Sequence, residues 1–162
     1  MDKFEFLNSR ILTKEQLLPI LRILKFKEKK IVFSNGCFDI LHRGHIEYLA
    51  KASGLGDCMI IGLNTDASVR RLKGEGRPLQ DEVSRAKVMA SLRFVNYVVL
   101  FDEDTPYDLI KFIEPDILVK GSDYKEDQIV GADLVKKNGG KVMTIDLVEG
   151  YSTTGIINRA SK

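Results

Sequence analysis

The stretch from Lys30 to Ala50, KIVFSNGCFDILHRGHIEYLA, decides how the chain reads. Its first residues, Lys30 to Ser34, form a short apolar run with the β-branched pair Ile31 and Val32, as a buried strand requires. Asn35-Gly36-Cys37-Phe38-Asp39 follows as a turn, and beyond Gly44 the residues Ile46, Leu49 and Ala50 repeat at helical spacing. A strand that passes through a glycine turn into a helix offers an anion site. Gly36 has no Cβ to hold a ligand off the backbone, and the unpaired N–H groups at the helix start favour negative charge. Both histidines of the chain, His42 and His45, stand at that helix start, where two imidazoles suit a phosphate. The pair lacks a third ligand at metal spacing, so no metal site is expected.

Outward from this unit the same alternation continues. Apolar strand-length runs occupy Cys58 to Leu63, Tyr97 to Phe101, Ile117 to Lys120 and Lys141 to Ile145. Amphipathic stretches lie between them, as with Val83, Ala86, Val88, Met89 and Leu92. Asp81 to Ser84 can open that helix, Thr105 with Pro106 reads as an N-cap followed by proline at the first helical position, and Pro115 closes the next helix. Strands alternating with helices predict an α/β fold with a Rossmann-like, doubly wound parallel sheet of five strands. Such a sheet binds its ligand at the carboxyl ends of the strands, at a switch point. Residues 1 to 27, with Leu17, Leu18, Ile20, Leu21 and Leu24 on one helical face, read as an N-terminal helical extension packed on the sheet or on a partner subunit. Residues 28 to 162 then form the main domain. Lys73 to Asp81, carrying Gly74, Gly76 and Pro78, reads as a mobile loop.

Composition narrows the function classes. The 162 residues are 44% hydrophobic and 30% charged, which suits one globular domain with one core. A net charge of +2 gives no support for non-specific nucleic-acid binding. No apolar run approaches the roughly 20 residues of a membrane span, and the charged N-terminus is unlike a signal peptide. Cys37 and Cys58 form no disulfide framework. A soluble, cytoplasmic protein with reduced thiols is expected.

The run at positions 35 to 45 resembles the Gly-x-Phe-Asp and His-x-Gly-His signature of the cytidylyltransferase-like nucleotidyltransferases. Three further stretches resemble one subgroup, the heptose 1-phosphate adenylyltransferases of ADP-heptose synthesis without their sugar-kinase domain. These are Arg71-Leu72-Lys73-Gly74 with Arg77-Pro78, then Val119 to Tyr124, and Glu149 to Thr154 with Ile156-Ile157. The resemblance spans nearly the whole chain. It implies an enzyme of the nucleotidyltransferase fold that joins ATP to D-glycero-β-D-manno-heptose 1-phosphate, with Mg²⁺ on the triphosphate, acting as a homodimer for bacterial surface glycans such as the lipopolysaccharide core. Arg43 stands where proline or a small residue is commoner in the family, and Cys37 where more distant relatives carry threonine.

Nucleotidyl transfer needs an α-phosphate held in line and its growing charge compensated, which gives each candidate a role. His42 and His45 would donate hydrogen bonds, Lys73 would swing over the triphosphate, and Arg85 would bind terminal phosphates or the sugar phosphate. Gly36, Cys37 and Phe38 form the turn under the nucleotide. Lys120, Gly121 and Asp123 would meet the base or ribose, or simply make a strand-to-turn junction. Tyr151, Ser152, Thr153 and Thr154 open the last helix, where hydroxyls either cap it or hold phosphates. Asp39 either positions the acceptor or Mg²⁺ or caps its turn; Asn64 and Asp66 either touch the sugar or form a turn; Arg93 is either at the site's edge or a helix-end charge. The competing readings are a glycerol-3-phosphate cytidylyltransferase, disfavoured because Leu147 stands where that group carries arginine, and a nucleotide-sensing module without turnover.

Overall fold

The computed structural model describes residues 2 to 160. In chain order the elements are α1 (Lys3–Asn8), β1 (Ile11–Leu12), α2 (Lys14–Phe26), β2 (Ile31–Gly36), α3 (Arg43–Ser53), β3 (Cys58–Asn64), α4 (Asp66–Lys73), α5 (Glu82–Ser91) and β4 (Tyr97–Phe101). There follow α6 (Tyr107–Ile113), β5 (Ile117–Gly121), a 3₁₀ turn over Glu126–Gln128, α7 (Ala132–Lys137), β6 (Lys141–Ile145) and α8 (Thr153–Ala160). The strands lie in the order β1-β4-β3-β2-β5-β6, and every pairing is parallel.

Alternate residues of each buried strand feed opposite faces, because side chains on a strand alternate with a period of two. Ile31 and Phe33 of β2 join Ile60, Val99 and Leu118 beneath Leu17 and Leu21 of α2 and Ile110 of α6. Val32, between them, joins Met59, Ile61 and Val98 beneath Leu49 of α3 and Met89 of α5. Each fully buried Leu, Ile or Phe here contributes roughly 1.5–3 kcal/mol. Gly62 in the middle of β3 serves this packing, since a Cβ there would lie 2.8 Å from the Phe33 ring.

The sheet has six strands where the sequence predicts five. The additional strand is Ile11–Leu12, paired with Val98 and Val99 at the edge. Two residues carry too little periodicity to register as a strand, and the pairing only exists once β4 is in place. The N-terminal segment is therefore helical with an edge strand, and Leu17 of α2, 0% exposed, belongs to the central core. A second correction concerns α6, which begins at Tyr107 with Pro106 in the capping position and no side-chain cap. Thr105 lines a cavity instead. Asp81 does cap α5, accepting from the Ser84 N–H at 2.9 Å.

Candidate active site

A cavity of about 510 Å³ opens over the carboxyl ends of the strands. The chain diverges here: β2 hands over to β3 and β4 on one side, while β5 and β6 lie on the other, so the ends splay and leave a crevice. Asn35 and Gly36 end β2, Asn64 ends β3, and Lys120 and Gly121 end β5, and all five line the cavity.

The turn from β2 into α3 is shaped by close contacts. A Cβ on Gly36 would sit 3.1 Å from the Phe38 ring, and Phe38 itself holds a left-handed backbone at φ 44°. Its ring meets His45 edge-on at 5.3 Å. His42 takes the N-cap position of α3 without making a side-chain cap, and its ring stacks on His45 with centroids 3.8 Å apart. Gly44 permits that stack, because a Cβ there would lie 3.1 Å from the His42 imidazole. Burial holds the His42 pKa below its ordinary value. Burial and then the neighbouring His42 bring His45 down to about 4, against a hydrogen bond to the Ile40 backbone that acts the other way. Both rings are neutral near pH 7, so each carries one N–H donor. The Nδ1 atoms of both are buried without a partner, as is Asn35 Oδ1.

The β5 side holds a half-buried cation. Lys120 Nζ donates to the Asn35 carbonyl at 3.2 Å and lies 5.4 Å from the Tyr124 ring centre. Burial lowers its pKa to about 8, while Asp123 and Cys37 pull it back up. Gly121 lets Asp123 fold back over the strand end: a Cβ at Gly121 would stand 2.5 Å from Asp123 Oδ1 and 3.1 Å from Leu147. At the start of α8 the three hydroxyls take different positions. Ser152 caps the helix by accepting from the Gly155 N–H at 3.0 Å, Thr153 donates to the Ile40 carbonyl at 3.4 Å, and Thr153 and Thr154 line the cavity. Tyr151 lies outside the lining, under the Arg43 guanidinium at 5.6 Å; Arg43 also pairs with Glu47 at 2.6 Å, which gives this unusual arginine a role in tying α3 to the loop before α8.

On the β3 side, Lys73 is the last residue of α4, and Gly74 follows in a left-handed conformation at φ 87°. Lys73 lines the cavity and makes no ion pair among the described residues. Asp39 is buried, and its carboxylate accepts from Arg77 Nε at 2.7 Å, Leu79 N–H at 2.8 Å and Gln80 N–H at 3.0 Å. Gln80 Nε2 donates back to the Asp39 carbonyl at 2.7 Å. Burial alone would raise the Asp39 pKa, but these hydrogen bonds outweigh it and hold the carboxyl below its ordinary range. Asp39 is thus a clasp that pins residues 77 to 80 to the first turn, with its oxygens already occupied.

Arg85 has a different position from the one its sequence context suggests. It is 1% exposed and does not line the cavity. Its guanidinium donates to the carbonyls of Gln80 at 3.0 Å and Cys37 at 2.7 Å and to the Asp66 carboxylate at 2.8 Å. Asp66 places one carboxylate oxygen on Arg85 and does not line the cavity. Asn64 does line the cavity, held by a bond from its Nδ2 to Ser68 Oγ at 3.0 Å. Arg93 lies exposed in the turn between α5 and β4, at the amino ends of the strands and therefore at the opposite end of the sheet. Among the described residues no group of three His, Cys, Asp or Glu could hold a metal ion.

Sequence reasoning did not single out Arg77, Tyr48 or Thr105 as site residues, yet all three line the cavity. Tyr48 stands three residues after His45, the spacing that shares a helix face, and that was its signal. It is locked between Ser34 Oγ at 2.7 Å and the Val119 carbonyl at 2.9 Å, and burial raises its pKa.

Residues 33–159 match the family described as cytidylyltransferase-like. The chain belongs to the cytidylyltransferase-like family. Among relatives, the "Bifunctional protein HldE" of Syntrophotalea carbinolica is 54% identical over 152 residues, covering 94% of this chain and 31% of that protein. The protein of the same name from Campylobacter jejuni subsp. doylei is 57% identical over 150 residues, or 93% of this chain and 31% of its own. The chain thus spans about a third of the length of these curated relatives. Of solved structures, the "lipopolysaccharide core biosynthesis protein" from Thermoplasma volcanium is 31% identical, with a TM-score of 0.60 over 76% of this chain and 99% of that one. Pantoate-beta-alanine ligase from Francisella tularensis, 18% identical with a TM-score of 0.63 over 93% and 76% of the two chains, shares the fold. Rossmann-like nucleotidyltransferase architecture and family membership therefore agree.

Proposed function

We propose that this chain is an adenylyltransferase that joins ATP and D-glycero-β-D-manno-heptose 1-phosphate to give ADP-heptose and pyrophosphate. The observation that carries the reading is the cavity itself, divided by the end of β2. On one side stand Lys120, Asp123, Thr153 and Thr154, on the other Lys73, Arg77 and Asn64, with the neutral His45 between them. That is a nucleotide half and an acceptor half, with His45 where they meet and His42, outside the lining, stacked on it.

An oxygen of the sugar phosphate attacks the α-phosphorus of ATP, the bond from that phosphorus to the β-bridging oxygen breaks, and pyrophosphate leaves. The stacked imidazoles donate N–H groups to the α-phosphate as its charge grows, and the N-terminus of α3 adds its dipole. Lys73, free to move beside Gly74, swings toward the triphosphate and meets the charge that grows on the α-phosphate. The ammonium of Lys120 and the carboxylate of Asp123 meet the base or ribose, and Leu147 supplies an apolar wall where a cytidylyltransferase of the glycerol phosphate type would carry arginine. Mg²⁺ would come with the triphosphate as part of the substrate, while the Asp39 carboxylate in the cavity wall is engaged by Arg77, Leu79 and Gln80. Arg85 acts through the turn it holds: by fixing the Cys37 carbonyl it sets the backbone under the α-phosphate.

The reading includes a homodimer, for which exposed Phe4, Phe6 and Phe26 give apolar surface, and a cytoplasmic setting, for which free Cys37 and Cys58 are consistent. No helix among the described residues is long and apolar enough to cross a membrane. Pyrophosphate release measured with four nucleoside triphosphates against heptose 1-phosphate and glycerol 3-phosphate tests the proposal. ATP with heptose 1-phosphate is expected to be fastest; equal or faster release with CTP and glycerol 3-phosphate overturns it.

A further inference from the structure

We propose that Arg77, oriented by Asp39, is the seat for the phosphate of the acceptor, a phosphate monoester recognised by the two terminal nitrogens of one guanidinium. The inference rests on the nucleotidyltransferase reading, which counts Arg77 in the acceptor half without giving it a task, and assigns it one.

Asp39 and Arg77 are 38 residues apart, and their 2.7 Å contact uses Nε alone. The terminal nitrogens of Arg77 make no hydrogen bond within the described residues, although the side chain is only 21% exposed and lines the cavity. A guanidinium has five N–H donors, so four remain open. A clasp alone would not need them: the Leu79 and Gln80 N–H groups and the Gln80 side chain already tie this segment to Asp39. What the ion pair adds is orientation. With Nε fixed on a buried carboxylate, the opposite edge of the planar group is held in one plane, and a planar fork with two parallel donors matches phosphate oxygens.

The charge around Arg77 fits a dianion. The Cys37 thiol lies in the fields of Lys73, Arg85 and Arg77, opposed by Asp39 alone. Arg85 is matched by Asp66 and Arg77 by Asp39, which leaves Lys73 as net positive charge in the cavity wall. Asp104, the other acidic residue on this side, is bound to Arg71 at 2.7 Å. Position then separates the acceptor from the nucleotide. Arg77 and Asn64 stand on the β3 side of Gly36, across β2 from Lys120, Asp123 and Thr154, so a phosphate on Arg77 approaches the α-phosphate from the side away from the base.

The test uses the full chain with R77M, which removes the charge, and R77K, which keeps it without the fork. KM for heptose 1-phosphate is expected to rise by about tenfold or more in R77M and by a smaller factor in R77K. KM for ATP should stay within about twofold of wild type in both. An equal rise in KM for ATP overturns the proposal by assigning Arg77 to the triphosphate, and an unchanged KM for the sugar phosphate with lowered thermal stability overturns it by leaving only the clasp. If R77M fails to fold, R77K decides by the same split. A wild-type protein that releases no pyrophosphate from this substrate pair refutes the adenylyltransferase reading separately. Calorimetric titration with inorganic phosphate then decides on Arg77: weaker binding in R77K supports the seat, and unchanged binding overturns it.

Discussion

Replacing Lys120 with methionine should make the protein more stable while weakening its hold on ATP. The side chain carries an ammonium taken out of water, with one hydrogen bond at 3.2 Å to the Asn35 carbonyl and the Tyr124 ring 5.4 Å away. A pKa brought from 10.5 to about 8 by burial means that the charged form is penalised in the folded state. At about 1.4 kcal/mol per pH unit the penalty is about 3 kcal/mol at neutral pH. Methionine fills similar volume without charge but loses the hydrogen bond and the ring contact, together about 2 kcal/mol. K120M should thus gain about 1 kcal/mol near pH 7, or roughly 2–4 °C in Tm for a chain of this size. The sign with pH is definite. Between pH 8 and pH 10.5 the unfolded lysine keeps a proton that the folded one has shed, so wild-type stability rises with pH through this window and the methionine variant lacks that rise. Relative to wild type, K120M should therefore lose about 2 kcal/mol between about pH 7 and pH 10, turning a small advantage into a small deficit. Urea unfolding of both proteins across that range measures it, with ATP affinity by calorimetry expected to fall by about tenfold or more. A difference in stability that is flat with pH would refute the burial of a charged Lys120, and unchanged ATP affinity would refute its place in the nucleotide half.

H42A and H45A should each lower kcat by about a hundredfold, on the order of 3 kcal/mol, with Tm nearly unchanged; turnover within about threefold of wild type in both would remove the imidazoles from the mechanism. R85M leaves Asp66 and two carbonyls without a buried donor, so it should cost about 3–5 kcal/mol in urea unfolding, and a stable variant with only a raised KM would contradict its structural position. Amide exchange across residues 72 to 80 should slow on adding ATP with Mg²⁺, most in the segment around Gly74 and Gly76, because residues 79 and 80 are already clasped to Asp39; identical exchange with saturating ATP would argue against closure.

The turn from β2 into α3 was legible because everything that makes it is local. Lys30 to Ala50 carries its own strand period, glycine turn, histidine pair and helical repeat within 21 consecutive residues. The Lys120-to-Tyr124 strand end and the hydroxyls before α8 were legible for the same reason. The strand count fell one short because Ile11–Leu12 is a strand only by virtue of its neighbour β4.

What the linear pattern could not decide was which charged residue faces the ligand. Arg77 and Arg85 both follow the glycine loop within 12 residues of Lys73, and nothing in their spacing separates them. Folding brings Asp66 and the Cys37 carbonyl, the latter 48 positions away in sequence, onto Arg85 and consumes it. Asp39 takes only Nε of Arg77, from 38 positions away, and leaves the rest of that guanidinium unbonded in the cavity wall. Periodicity and local motifs determine the elements because their physics acts within a few residues. The assignment of a buried charge depends on which partner the folded chain brings to it, and with charges of both signs available, only the packed tertiary structure makes that choice.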